Sequence, residues 1–307
     1  MPKCPHLGPI ETGKDLMKTI KGIYRGSEPH WVGDGFPVHT VFSYQDLAAE
    51  LSPFLLLDHA GPADFEPTER ERGVGWHPHR GFETVSVAYE GEVDHEDSTG
   101  SRGTIGPGDV QWMTAGAGVL HKEMHGRNFA RSGGRFEMLQ LWVNLPAASK
   151  MTEPRYQTLL AADIPVVKLP RDGGSVRVIA GEYQGAKGPA RTFTSINLLD
   201  LRLKGDHRVR LELRDGWTAA LFVVAGEVIV NGERGARAGD LVVLGRENGK
   251  VEIEGAPDAT VFVMNGEPID EPIVGYGPFV MNSVEEIQQA FADFQAGRLG
   301  KVPEPVA

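Results

Sequence analysis

Two imidazoles one residue apart, His77 and His79, stand in the run Trp76-His77-Pro78-His79-Arg80-Gly81-Phe82-Glu83. Neutral imidazole and carboxylate are donors for Fe, Mn, Co, Ni, Cu and Zn. Side chains two apart on a strand point the same way. Read as one strand, the run puts His77, His79 and Glu83 on a common face. A second pair, His121 and Glu123, has the same spacing and follows the bend Ala115-Gly116-Ala117-Gly118. The pairs lie 42 residues apart, counted from His79 to His121, with hairpin signals between them. Antiparallel pairing can bring both pairs into one interior, which predicts a single bound transition metal. Glu83, His59 and His125 are the competing donors. Orienting a ligating imidazole through a hydrogen bond is the expected role for Glu83 and His59.

The elements that must position these residues are short and β-prone. Val38–Phe42, Phe54–Leu57, Thr84–Tyr89, Val93–Glu96, Val110–Thr114, Val119–His125 and Phe136–Leu145 read as strands, separated by Gly, Pro and polar turns. Residues 60–75 and 127–135 read as loops, and Asp15–Lys21 as a short helix. Pro146–Pro154 reads as a linker, so the expected domains are 1–148 and 149–307. The second half echoes the first. Gly226-Glu227-Val228 repeats Gly91-Glu92-Val93, and Gly239-Asp240-Leu241 repeats Gly108-Asp109-Val110. Near the end, Ser283 followed by Glu286 is a capping box. Val284, Ile287, Phe291 and Phe294 then recur at helical spacing, and Gly297 can stop the helix. The fold class is therefore all-β, with one terminal helix docked by its apolar side.

Composition narrows the partners. The 31 basic and 42 acidic residues give 31 − 42 = −11, so the chain has no general electrostatic reason to bind nucleic acid or a membrane surface. The apolar runs are far too short to span a bilayer, and Met1–Pro5 lacks the apolar core of a signal peptide. The expected location is cytoplasmic. The single cysteine, Cys4, rules out an intrachain disulfide and a thiolate cluster.

The two histidine segments resemble known motifs. His-x-His-x3-Glu, from His77 to Glu83, and Gly-x5-Thr-Ala-Gly-x-Gly-x2-His, from Gly108 to His121, are similar to the paired motifs of cupins. His77–Val85, Gly108–His121, Gln140–Leu145 and Pro53–His59 resemble the pirin family more closely. The resemblance implies a bicupin, two tandem jelly-roll-like β-barrels, with metal only in the first. It implies that His77, His79, His121 and Glu123 are the ligands and Fe(II) the usual metal, and it demotes Glu83. It also implies quercetin 2,3-dioxygenase activity, the ring opening of a flavonol with O2 and release of CO. By analogy Glu123 accepts the flavonol proton. Trp76, Phe82, Met113, Met138 and Trp142 are candidates for an apolar pocket wall. The alternative implied by the same resemblance is a metal-bearing regulator that binds a partner enzyme or transcription factor without turnover.

Overall fold

The computed structural model describes residues 16–302 apart from 248, 256 and 257; Cys4 lies outside them. β-Branched and aliphatic residues alternate with polar ones along most strands, and turn glycines divide them. The strands assemble into two barrels, each built from a seven-stranded and a four-stranded antiparallel sheet.

In the first barrel the large sheet runs Arg155–Leu159, Val110–Thr114, Phe82–Glu90, Gly134–Asn144, Phe54–Phe65, Phe36–Phe42 and His30–Val32. The small sheet runs Gly73–His79, Val119–His125, Val93–Asp97 and Arg102–Ile105. The second barrel repeats the small sheet as Arg208–Leu213, Gly249–Gly255, Glu227–Val230 and Arg234–Arg237, in the corresponding order. The two large sheets pack face to face. Val85, Val87, Trp112, Leu139 and Leu141 of the first meet Phe222, Val224, Leu241, Phe262 and Met264 of the second in one apolar core. Fully burying each such side chain contributes about 1.5–3 kcal/mol.

The barrels exchange segments across the expected division at residue 148. Ile20–Arg25 pairs with Asp240–Leu244 of the second barrel. Arg155–Leu159 closes the edge of the first barrel's large sheet. The terminal helix Val284–Gln295 keeps its capping box, with Ser283 and Glu286 bonded reciprocally. It returns to the first barrel, where Ile287 and Ala290 pack with Leu120, Phe279 and Leu299. Asp293 also faces inward, whereas Val284 and Phe294 stay exposed. The docked face is thus rotated from the expected stripe, because the Asp293 carboxylate pairs with buried Arg80 at 2.8 Å.

Other departures are local. The helix expected over Asp15–Lys21 does not form in its described part, residues 16–21, and Asp15 lies outside the described residues; Ile20–Arg25 is instead a strand, because it pairs with an edge of the second barrel. Phe54–Phe65 runs well beyond Leu57 into the expected loop. Arg127–Ser132 is a short helix within another. No helix among the described residues is long and apolar enough to cross a membrane.

Candidate metal centre

The site forms where two strands of the small sheet lie side by side. Cα pairing sets His121 opposite His77 and Val119 opposite His79. His121 therefore sits directly across from His77, with His79 two residues further along the neighbouring strand. One nitrogen from each of His77, His79 and His121 lies within 4.8 Å of the others. Ring centroids are 4.2 Å apart for His77–His121, 4.8 Å for His77–His79 and 4.9 Å for His79–His121.

Burial sets the charge of this trio. It lowers the pKa of all three imidazoles, and those of His79 and His121 fall well below the usual value. Mutual repulsion between the rings adds to this for His79 and His121. Neutral imidazole is the form that binds a cation. His77 Nδ1 is bonded to Gly75 O at 2.8 Å, which leaves Nε2 available. His79 Nδ1 and His121 Nε2 are buried without any hydrogen-bond partner. Leaving such groups unpaired costs about 1–3 kcal/mol each. A divalent metal would satisfy these nitrogens, and the donor set fits one.

Glu123 enters the same lumen but stands outside the compact trio. A bulge after His121 shifts its pairing with the neighbouring strand, so that Glu123 faces Val74. Its Oε1 lies 3.4 Å from Ser86 Oγ, which is itself 2.5 Å from Gln140 Oε1. Burial pushes the Glu123 carboxyl up to about 7.

Glu83 does not share the histidine face. The strand ends at His79, and a turn at Arg80 and Gly81 starts a new one in the opposite sheet. Glu83 then follows the parity of Val85 and Val87, on the side turned to the second barrel. Its Oε1 accepts a hydrogen bond from Thr114 Oγ1 at 2.7 Å. His59 lies in the layer between the barrels as well, bonded to Glu137 at 2.9 Å and edge-on to Phe222. His125 is bonded to Gly35 O at 2.8 Å among Phe36, Phe65, Phe129 and Phe136. None of these three reaches the trio.

Of the expected wall residues, Phe82 and Trp142 stack at 4.2 Å, and Trp142 meets the His79 ring at 5.2 Å. Met113 faces the lumen beside Tyr156. Met138 belongs to the apolar end of the barrel with Phe36 and Phe136. Trp76 points the other way, under Lys122 and against the C-terminal segment, because it alternates with His77.

The turn between the sheets is held by the returning chain. Gly81 has φ +90°, and a Cβ there would collide with the carbonyl of Val280. Arg80 donates to Ala117 O at 2.6 Å and to Asp293. Lys150, fully buried, donates to Gly81 O, Asn144 Oδ1 and Val280 O. Gly81→Ala should therefore destabilise the protein by about 2 kcal/mol or more, from strain and displaced packing. Thermal melting checks this, and metal retention should fall with it because His79 lies two residues away.

Comparison with known proteins agrees with this architecture. The Pirin family pattern matches residues 35–143, and the pattern of the Pirin C-terminal cupin domain matches residues 198–300. A Pseudomonas aeruginosa protein provisionally named quercetin 2,3-dioxygenase is 54% identical over 92% of this chain and 98% of its own. The chain belongs to the pirin family. Human Pirin is 41% identical to this pirin, over 81% of this chain and 83% of its own. The crystal structure of quercetin 2,3-dioxygenase from Acinetobacter baumannii superposes with a TM-score of 0.92 at 50% identity, covering 94% of this pirin and 100% of that chain. The bicupin fold and the histidine-based metal centre expected from the motifs are thus those of the family.

Two features escaped the motif-based view. Lys150 ties the site turn to the C-terminal segment, and its linker position carries no signal of that. His95 and Asp97 line the same lumen. Their signal was available, because Val93, His95 and Asp97 alternate on one face of a short strand.

Proposed function

We propose that this pirin is a metal-dependent dioxygenase that opens the heterocycle of flavonols such as quercetin with O2 and releases CO. The observation that carries the reading is the trio of neutral imidazoles, His77 half-buried and the other two buried with unpartnered nitrogens, beside a buried carboxylate. Its full-length likeness to the Acinetobacter baumannii quercetin 2,3-dioxygenase supports the substrate class. His77, His79 and His121 hold the metal, and Glu123 supplies the fourth donor. Fe(II) is the metal proposed; Mn, Co, Ni and Cu suit the same donors. The bound metal supplies charge stabilisation and a template for two oxygen-bearing reactants. Glu123 accepts the proton of the flavonol hydroxyl, a task suited to a carboxylate held within reach of a hydroxyl at the same centre. Phe82 and Trp142 form an aromatic wall beside His79 that suits a flat ring system.

Anaerobic quercetin added to the metal-loaded protein should shift its absorption spectrum. Admitting air should then consume the flavonol and release CO. Absence of turnover with the Fe, Mn, Co, Ni and Cu forms overturns the reading. It would leave the regulatory alternative, a partner protein bound without turnover, to be sought by metal-dependent pull-down.

A further inference from the structure

Beyond the trio, the lumen has a second polar wall. His95, on Val93–Asp97, pairs directly across from Glu123. Tyr156, on Arg155–Leu159, pairs across from Met113 on the inward face of the large sheet. The two rings stack at 5.2 Å with an interplanar angle of 12°. They bridge the gap between the two sheets of the barrel. Gly103, opposite His95, leaves room for this arrangement, since a Cβ there would lie 2.8 Å from His95 Cε1.

These residues leave hydrogen-bonding capacity unused. His95 Nδ1, Asp97 Oδ2, Gln111 Nε2 and Tyr156 Oη are all buried and all unpartnered. His95, Asp97 and Gln111 are 4%, 1% and 3% exposed. Asp97 has a structural duty through its other oxygen, which accepts from Thr99 and Ser101 at the hairpin turn. Gln111 sits beside Ser86, which in turn lies beside Glu123. Burial, then the Asp97 and Glu123 carboxylates, push the Tyr156 phenol up, so it stays a protonated donor.

The fold itself does not require this polarity. In the second barrel the corresponding strands present Val228, Val230 and Ala236 to an aliphatic interior. A chain that could pack this wall with Val or Ala instead places there donors and acceptors that nothing among the described residues satisfies. Both kinds of atom together match hydroxyl groups, which donate and accept at once.

We propose that Tyr156, His95 and Gln111 form a recognition wall that hydrogen-bonds the ring hydroxyls of an aromatic polyol held at the histidine trio. The proposal rests on the flavonol reading of that site. Phe82 and Trp142 supply the apolar contact beside His79, and the His95–Tyr156 side supplies polar selection. These are positioning residues, distinct from the metal donors.

The test compares two probes, quercetin and 3-hydroxyflavone, which carries only the hydroxyl next to the carbonyl. Binding is followed anaerobically by absorption with metal-loaded full-length protein. Tyr156→Phe should weaken quercetin about tenfold, the worth of one lost hydrogen bond in a buried site. It should leave 3-hydroxyflavone within about twofold, with metal content and melting temperature unchanged. Gly103→Ala, which displaces the His95 ring but keeps every polar group, should likewise weaken quercetin selectively. Equal weakening of both probes, no weakening of quercetin, or no quercetin binding by the wild type in any metal form overturns the proposal. Selective weakening without turnover in air supports the wall and removes the dioxygenase reading instead.

Discussion

His121→Ala should leave the protein unable to hold metal at stoichiometric occupancy, and Glu123→Gln should weaken retention about 10–100-fold, by analogy with groups that tune metal sites. His121 lies close to both other imidazole rings, the ring centroids being 4.2 and 4.9 Å away, and contributes an unpartnered buried nitrogen, so its loss leaves two of the three clustered imidazoles. Glu123→Gln is the sharper test because it keeps shape and the contacts with Ser86 and Gln140. It removes only the charge. The pH dependence then separates the donors. The imidazoles are neutral well into the acid range, because burial lowers their pKa. Free Glu123 titrates near 7, so below that pH a metal must displace its proton. Wild-type affinity should fall about tenfold for each pH unit below 7 through this group alone. Glu123→Gln should lose that slope. Chelator competition with elemental analysis reads both effects. Unchanged retention in Glu123→Gln, with loss in Glu83→Gln, would restore the general cupin arrangement.

The histidines could be found from sequence because the information is local. A spacing of two on a strand is enough to align His77 with His79, and glycine turns mark where the chain reverses. The same logic misplaced Glu83, since parity survives only while a strand continues. Gly81, with its positive φ, breaks it. Gly81 was visible in the sequence, but its meaning depended on Val280, two hundred residues away. The exchanged segments are invisible for the same reason. Nothing in Ile20–Arg25 states that its partner is Asp240–Leu244. The docked face of the terminal helix depended on where Arg80 lies, and that is set by tertiary packing. Local pattern therefore located the histidine trio, whereas long-range pairing determined which carboxylate shares its lumen.

Glu83→Gln should stabilise the metal-free protein at pH 8 and confer little advantage at pH 5. Glu83 is 1% exposed on the side of its sheet that faces the second barrel, and burial pushes its carboxyl up to about 7. The unfolded chain releases this proton near the ordinary glutamate value of about 4.5. Between those values the folded state holds a proton that the unfolded state has lost. Stability therefore falls as pH rises through the window, by on the order of 2–3 kcal/mol for this group. Glutamine keeps the acceptor for Thr114 Oγ1 and removes the buried charge, so its melting temperature should vary less with pH. Glu123, which titrates in the same range, is common to both proteins and cancels in the comparison. Thermal melts of the two proteins from pH 5 to pH 8 decide the matter. A variant that is less stable than wild type at pH 8 would mean that the charge of Glu83 is needed, and that its contact with Thr114 is a charged one holding the barrels together. A more stable variant with full metal content would confine Glu83 to the layer between the barrels and leave the metal carboxylate to Glu123.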